Sequence, residues 1–222
     1  MTTVKPDNWK YSEFAGLILV YGILALNLLV LKDAAVAVIS AFFGITYTML
    51  AGKGSPKCYI FGVAGSGLYA WLSFANALWG NLALYLLYYI PMQITGFFKW
   101  NGNLKENKKE IVKARLTKKE TVILLLTTTI ATVICVIVLY LTHDKSPVID
   151  GITTIFSIAG MYLTVKRCVE QWLVWIIVNG LSAIMWINIA LSGEKVYSTV
   201  VMWVVYFILA IYFNREWRKE FV

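Results

Sequence analysis

The sequence predicts an all-α polytopic membrane protein with eight transmembrane helices. Three observations predict it. Residues 58–98 form a run of 41 without one Asp, Glu, Lys or Arg. A hydrocarbon core of about 30 Å takes roughly 20 apolar residues per helical crossing, so that run is two crossings. The 222 residues are 59% hydrophobic and only 14% charged, with a mean hydropathy of +0.70, where a soluble domain would carry about 25% charged residues. The basic residues are also concentrated in alternate connections, as the positive-inside rule leads one to expect.

The eight apolar segments span residues 13–31, 34–51, 58–78, 81–98, 121–141, 148–165, 171–191 and 197–213. The first lacks a small-x-small cleavage site and reads as a retained helix rather than a signal peptide. Segments 3 and 4 are joined by the small, uncharged turn Trp79-Gly80-Asn81. Pro91 in segment 4 frees a carbonyl one turn earlier and permits a kink, which makes it the hinge candidate. The connection over residues 99–120 is longer and carries eight Lys and Arg. The remaining connections are short, so sequential helices run antiparallel.

Counting Lys and Arg on alternate sides gives 17 on the side of the termini and 3 on the other. Both termini are therefore expected in the cytoplasm, consistent with an even number of crossings. The net charge of +8 is then chiefly a topology signal with anionic-lipid contact, and nucleic-acid binding is not expected. Trp9, Trp79, Trp100 and Trp217 lie near segment ends, where indoles favour the interface. Cys58, Cys135 and Cys168 share no metal-ligand or disulfide spacing, and no metal or other cofactor is expected.

An ordered internal repeat relates segments 2–4 to segments 6–8. Gly67-Leu68-Tyr69-Ala70 and Gly180-Leu181-Ser182-Ala183 match at an offset of 113, and Trp100 and Trp217 close the two triplets at an offset of 117. Three crossings reverse the chain, and segment 5 as one extra crossing restores its direction, so the triplets run parallel. Sites in such proteins lie between the repeats near mid-membrane. The division is residues 1–33 for the N-terminal tail and extra helix, 34–98 for the first repeat, 99–120 for the basic cytoplasmic loop, 121–145 for the linker helix and 146–222 for the second repeat and basic tail.

Trp172, Trp175 and Asn179 share one face of segment 7 at i, i+3 and i+7, and Ser182 and Trp186 extend it. Two indoles above a carboxamide suit a flat, cationic aromatic ring, while the same spacing also suits interfacial indoles with an Asn joining two helices. Segment 3 presents Tyr59, Gly62, Ser66, Tyr69, Ser73 and Asn76 on the matching face, and segment 4 adds Tyr85, Tyr88, Tyr89 and Gln93. Gln93 either faces a substrate or bonds a neighbouring helix. Asn188, Tyr206 and Asn27 are further polar candidates. No segment carries a carboxylate, His or Lys away from its ends, which disfavours proton relays, charge-coupled pumps, retinal binding and intramembrane hydrolysis. No GxxxxGK[ST] loop is present, so the chain does not itself use ATP.

Pro91-Met92-Gln93-Ile94-Thr95-Gly96-Phe97-Phe98-Lys99-Trp100, the Trp172-x-x-Trp175-x-x-x-Asn179 element and the tail Asn214-Arg215-Glu216-Trp217-Arg218-Lys219 resemble the Pnu-type bacterial vitamin transporters over about residues 34–220. That resemblance implies a SWEET-like 3+1+3 fold with segment 1 outside it. It also implies facilitated diffusion of nicotinamide riboside across the inner membrane, with trapping by a cytoplasmic kinase, and recognition by Trp172, Trp175 and Asn179. Thiamine, another vitamin or a sugar is the alternative solute, and a non-transporting receptor or structural protein the alternative class. Gly62, Gly65 and Ser66 permit close helix contacts, which leaves room for a homo-oligomer without fixing the oligomeric state.

Overall fold

The computed structural model describes residues 9–75, 82, 84–106, 110–143 and 147–221. The proposed turn at Trp79-Gly80-Asn81, together with Asn76, lies outside the described residues.

Within them the apolar segments become helices α1 (Tyr11–Leu29), α2 (Ala35–Gly52), α3 (Cys58–Ala75), α4 (Ile90–Asn101), α5 (Lys118–Leu141), α6 (Pro147–Val165), α7 (Gln171–Leu191) and α8 (Tyr197–Arg218), the last running into a 3-10 turn at Lys219–Phe221. Six of them, α1, α2 and α5 to α8, are long and apolar enough to cross a membrane. The chain is thus an all-helical, multi-pass membrane protein.

Their ends follow local chemistry. Thr117 and Glu120 cap α5 reciprocally: Thr117 Oγ1 accepts from the Glu120 amide at 3.2 Å and Glu120 Oε2 from the Thr117 amide at 2.9 Å. Asp33, buried in the connection after α1, accepts from the Ser198 amide at 2.7 Å and so places a carboxylate on the N-terminal end of α8. Asn27 donates to Ser198 Oγ at 3.3 Å, a packing role rather than a solute contact.

Segment 4 departs from a simple kink. Proline lacks an N–H, and its ring crowds the carbonyl four residues back, here that of Leu87. The chain answers with a π-helical turn at Tyr85–Tyr89, in which the Ile90 amide reaches back five residues to Tyr85 O. This extra residue per turn directs Tyr85 and Tyr89 inward, while Tyr88 turns away and donates to Ile158 O on α6 at 2.6 Å.

Six helices close a ring: α2 packs on α3, α3 on α4, α4 on α6, α6 on α7, α7 on α8 and α8 back on α2. Helix α1 leans on α2 and α8, and α5 packs on α6. No residue of α5 is buried, as expected of a helix whose remaining faces meet lipid.

At the charged end of the bundle, residues 102–106 and 110–117 form a strap. The Ile111 amide bonds Gly54 O at 3.0 Å, and Ala114 exchanges backbone bonds with Arg167 and Val169, both at 2.9 Å. Ile111 is fully buried beneath it. Behind the strap lies an aromatic cluster in which Trp100 and Trp217 are both 0% exposed, contrary to their expected interfacial place. Their indole N–H groups explain the difference. Trp100 Nε1 donates to Thr164 O at 2.9 Å and Trp217 Nε1 to Gly52 O at 2.6 Å, so burial leaves neither donor orphaned. Tyr59 meets Trp100 edge-on at 5.1 Å and 81°, and Trp172 meets Trp217 at 5.5 Å and 80°.

Gly62 and Gly65 make close helix contacts within the chain. A Cβ at Gly62 would press on Tyr47 and Gln93, and one at Gly65 on Phe43, so the chain uses these glycines for its own packing. Gly96 is tighter, because a methyl there would overlap the Tyr59 ring. Gly96→Ala is expected to destabilise the bundle by about 1–3 kcal/mol, seen as a lowered midpoint of thermal unfolding in detergent.

Candidate functional site

Residues of all six ring helices, and of neither α1 nor α5, enclose a cavity of about 160 Å³. It reaches toward the charged end, where Ala51, Gln171 and Trp172 line it. A second cavity of about 200 Å³ lies toward the opposite end, bordered by Ser40, Tyr69, Trp186 and Met202. The two share a middle layer of Tyr47, Ser66, Tyr85, Gln93, Trp203 and Tyr206. The described linings contain no Asp, Glu, Lys, Arg or His.

Trp172, Trp175, Asn179, Gln93 and Tyr206 come together around the first cavity, and Tyr69 lines the second. Trp175 is held on two sides. Its Nε1 donates to Thr164 Oγ1 at 3.1 Å, Thr164 Oγ1 in turn donates to Gly160 O at 2.8 Å, and the indole lies against Gly160, where a Cβ would sit 3.0 Å from the ring. Trp172 is 2% exposed and packs on Phe213 at 5.4 Å. It serves as the floor of the cavity, with much of its ring already occupied. Asn179 is buried one turn above Trp175.

Gln93 donates from Nε2 to Ser66 Oγ at 2.9 Å, and thus both bonds a neighbouring helix and lines the cavity. Tyr69 stacks on Tyr85 at 5.3 Å and 14°. Tyr206 meets Trp203 edge-on at 5.6 Å, and Gly44 makes room for its hydroxyl. Asn188 falls outside the group: it is exposed and lines neither cavity. Nine residues beyond Asn179 is two and a half helical turns, which puts it on the opposite face of α7. Pro91 is exposed beside the π turn. Of the segment 3 face, Gly62 and Ser66 join Tyr69 at the second cavity; the Ser73 side chain lies outside the description.

Sequence reasoning missed Tyr47, Thr164 and Trp203. Trp203 stands three residues before Tyr206 on one helical face, which was a usable signal. Thr164 and Tyr47 had none, since their partners lie on other helices.

Five buried polar atoms without a hydrogen-bond partner belong to residues of these linings: Ser40 Oγ, Tyr47 Oη, Gln93 Oε1, Trp172 Nε1 and Trp203 Nε1. An indole N–H can only donate and an amide oxygen only accept, while hydroxyls do both. Leaving such groups unpaired costs about 1–3 kcal/mol each. The walls thus suit a ligand with a flat aromatic part for the ring faces and polar groups of both kinds.

The family model for nicotinamide mononucleotide transporters matches residues 34–219, from the start of α2 to the end of α8. The chain belongs to the nicotinamide mononucleotide transporter family. It is therefore a membrane transporter and not an enzyme. The nicotinamide riboside transporter PnuC of Neisseria mucosa is 30% identical over 216 residues, which cover 95% of this chain and 82% of that protein. The nicotinamide riboside transporter PnuC of Haemophilus influenzae is 28% identical over 189 residues, covering 84% and 80%. The crystal structure of the vitamin B3 transporter PnuC is similar with a TM-score of 0.82 and 28% identity, covering 96% of this chain and 92% of that one.

Within this family fold, Thr164 is the residue that orients Trp175. Thr164→Val would leave the Trp175 N–H unpaired and is expected to lower stability by about 1–3 kcal/mol, measured by thermal unfolding, with a shift in tryptophan emission.

Proposed function

We propose that this chain is a uniporter that carries nicotinamide riboside across the bacterial cytoplasmic membrane by facilitated diffusion. The observation that carries the reading is the charge-free cavity lined by indole and phenol faces, with unpaired donors and acceptors in its walls. The pyridinium ring would lie against Trp175, a cation–π contact worth up to about 2 kcal/mol when desolvated. The ribose hydroxyls and carboxamide would meet Asn179, Gln93, Tyr47 and Trp203, with Tyr69 and Tyr206 shaping the path toward the opposite face. The names of the relatives support this solute. Thiamine also offers a cationic ring, a thiazolium, but one hydroxyl where nicotinamide riboside has three.

The absence of Asp, Glu, Lys, Arg and His from the described lining supports transport without ion coupling, with the product trapped by a cytoplasmic kinase. The crossed indole bonds support a 3+1+3 arrangement of parallel triplets, α2–α4 and α6–α8, with α5 as the spacer and α1 outside. Trp100 ends the first triplet and bonds the end of α6; Trp217 ends the second and bonds the end of α2. Rocking of the triplets would alternate access, with the π turn before Pro91 as a deformable point. The excess of Lys and Arg supports placing the strap and both termini in the cytoplasm.

Trp175→Ala is expected to weaken nicotinamide riboside binding by more than about 1 kcal/mol, measured by calorimetry on purified protein; unchanged affinity would remove Trp175 from the site. Uptake into proteoliposomes is expected to be indifferent to an imposed proton gradient, and uptake that rises steeply with that gradient would contradict the uniporter.

A further inference from the structure

We infer that the solute leaves for the cytoplasm through the seam between α2 and α8, and that Glu13 of α1 is the positioning residue that latches this seam. The inference rests on the transport reading and orientation proposed above.

The seam forms part of the wall of the first cavity. Ala51 lines the cavity, and the next residues, Gly52 and Lys53, line a separate polar vestibule of about 480 Å³ at the charged end. Phe213 and Trp217 complete the partition: Trp172 packs on both from the cavity side, and both face the vestibule from the other. One aromatic layer therefore separates the two spaces. Gly52 is what lets that layer close, since a Cβ there would overlap the Phe213 ring.

Glu13 joins the two sides of the seam. It is 9% exposed. Its Oε2 pairs with Lys53 Nζ, at the end of α2, at 2.5 Å, and its Oε1 accepts from Tyr212 Oη of α8 at 2.7 Å. The Lys10 amide, at 2.7 Å, fixes the carboxylate against its own helix. A buried charge with three partners on three helices holds its geometry far better than an exposed ion pair. Opening the seam by separating α2 from α8 must break one of these bonds. This gives α1, which lines neither cavity, a part in the transport cycle.

The test is cysteine accessibility. Ala51→Cys is the reporter in the seam and Val165→Cys, buried at the end of α6, the control. Both are placed in protein carrying Cys58→Ser, Cys135→Ser and Cys168→Ser. A membrane-impermeant maleimide is applied from the cytoplasmic side. Glu13→Gln and, separately, Tyr212→Phe are expected to speed labelling at Ala51→Cys about fivefold or more, the factor that loss of one modest interaction gives. Glu13→Asp restores the slow rate, and labelling at Val165→Cys stays within about twofold of the parent. Unchanged labelling at Ala51→Cys in both variants, or equal acceleration at Val165→Cys, would overturn the latch. Labelling needs no solute, so failure of the parent to take up nicotinamide riboside would count against the transport reading and not against the latch.

Discussion

Two crossed indole hydrogen bonds set the closed end of this bundle. Trp100 reaches Thr164 O at 2.9 Å and Trp217 reaches Gly52 O at 2.6 Å. One joins α4 to α6 and the other joins α8 to α2. With both rings wholly buried, an unmet N–H would cost about 1–3 kcal/mol, so each bond fixes where its helix pair meets. The remaining aromatic side chains follow. Tyr59 and Trp172 take up matching edge-on positions against these indoles, and Trp172 thereby becomes the floor of the cavity. Thr164 then links closure to recognition, because its carbonyl holds Trp100 while its hydroxyl orients Trp175.

A neutral lining has energetic consequences. A fixed charge facing a cationic solute would either repel it or hold it too tightly, and a buried carboxylate would bring a proton into the cycle. Ring faces attract a cation moderately and without titrating. The unpaired donors and acceptors add discrimination, since a solute lacking the matching groups leaves them unpaired. Such a lining, shared by α2–α4 and α6–α8, suits the passive exchange proposed above. The charged residues instead gather at one end, where Lys113, Lys105 and Glu220 tie the strap to the tail, and where burial pushes the Cys168 thiol up to about 11, leaving it protonated.

The helices were legible in the sequence because hydrocarbon imposes a length and excludes charge, and segment 7 matched its helix from Gln171 to Leu191. The inward face of α7 was legible too, because Trp172, Trp175 and Asn179 follow helical spacing. Asn188 was misplaced for want of the same test, being half a turn out of register with Asn179. Trp100 and Trp217 were read as interfacial indoles because sequence shows the indole but not the carbonyl that receives its N–H. The π turn was not legible: Pro91 signals disturbance, but whether the chain kinks or widens depends on what α6 offers Tyr88. Nothing in the sequence singled out Glu13, since its partners Lys53 and Tyr212 lie 40 and 199 residues away.

The proposed transport cycle turns on α2–α4 and α6–α8 moving as two bodies, with the Trp217 bond to Gly52 O released when the α2–α8 seam opens. Spin labels at Ile60→Cys on α3 and Leu173→Cys on α7, both exposed near the charged end and equivalent in the repeat, report on this directly by pulsed dipolar distance measurement in lipid bilayers. The account predicts that the proposed solute shifts this inter-triplet distance by several ångströms, while the pair at Ile60→Cys and Phe98→Cys within the first triplet stays fixed. An unchanged inter-triplet distance in protein that still transports, or equal shifts in both pairs, would contradict it.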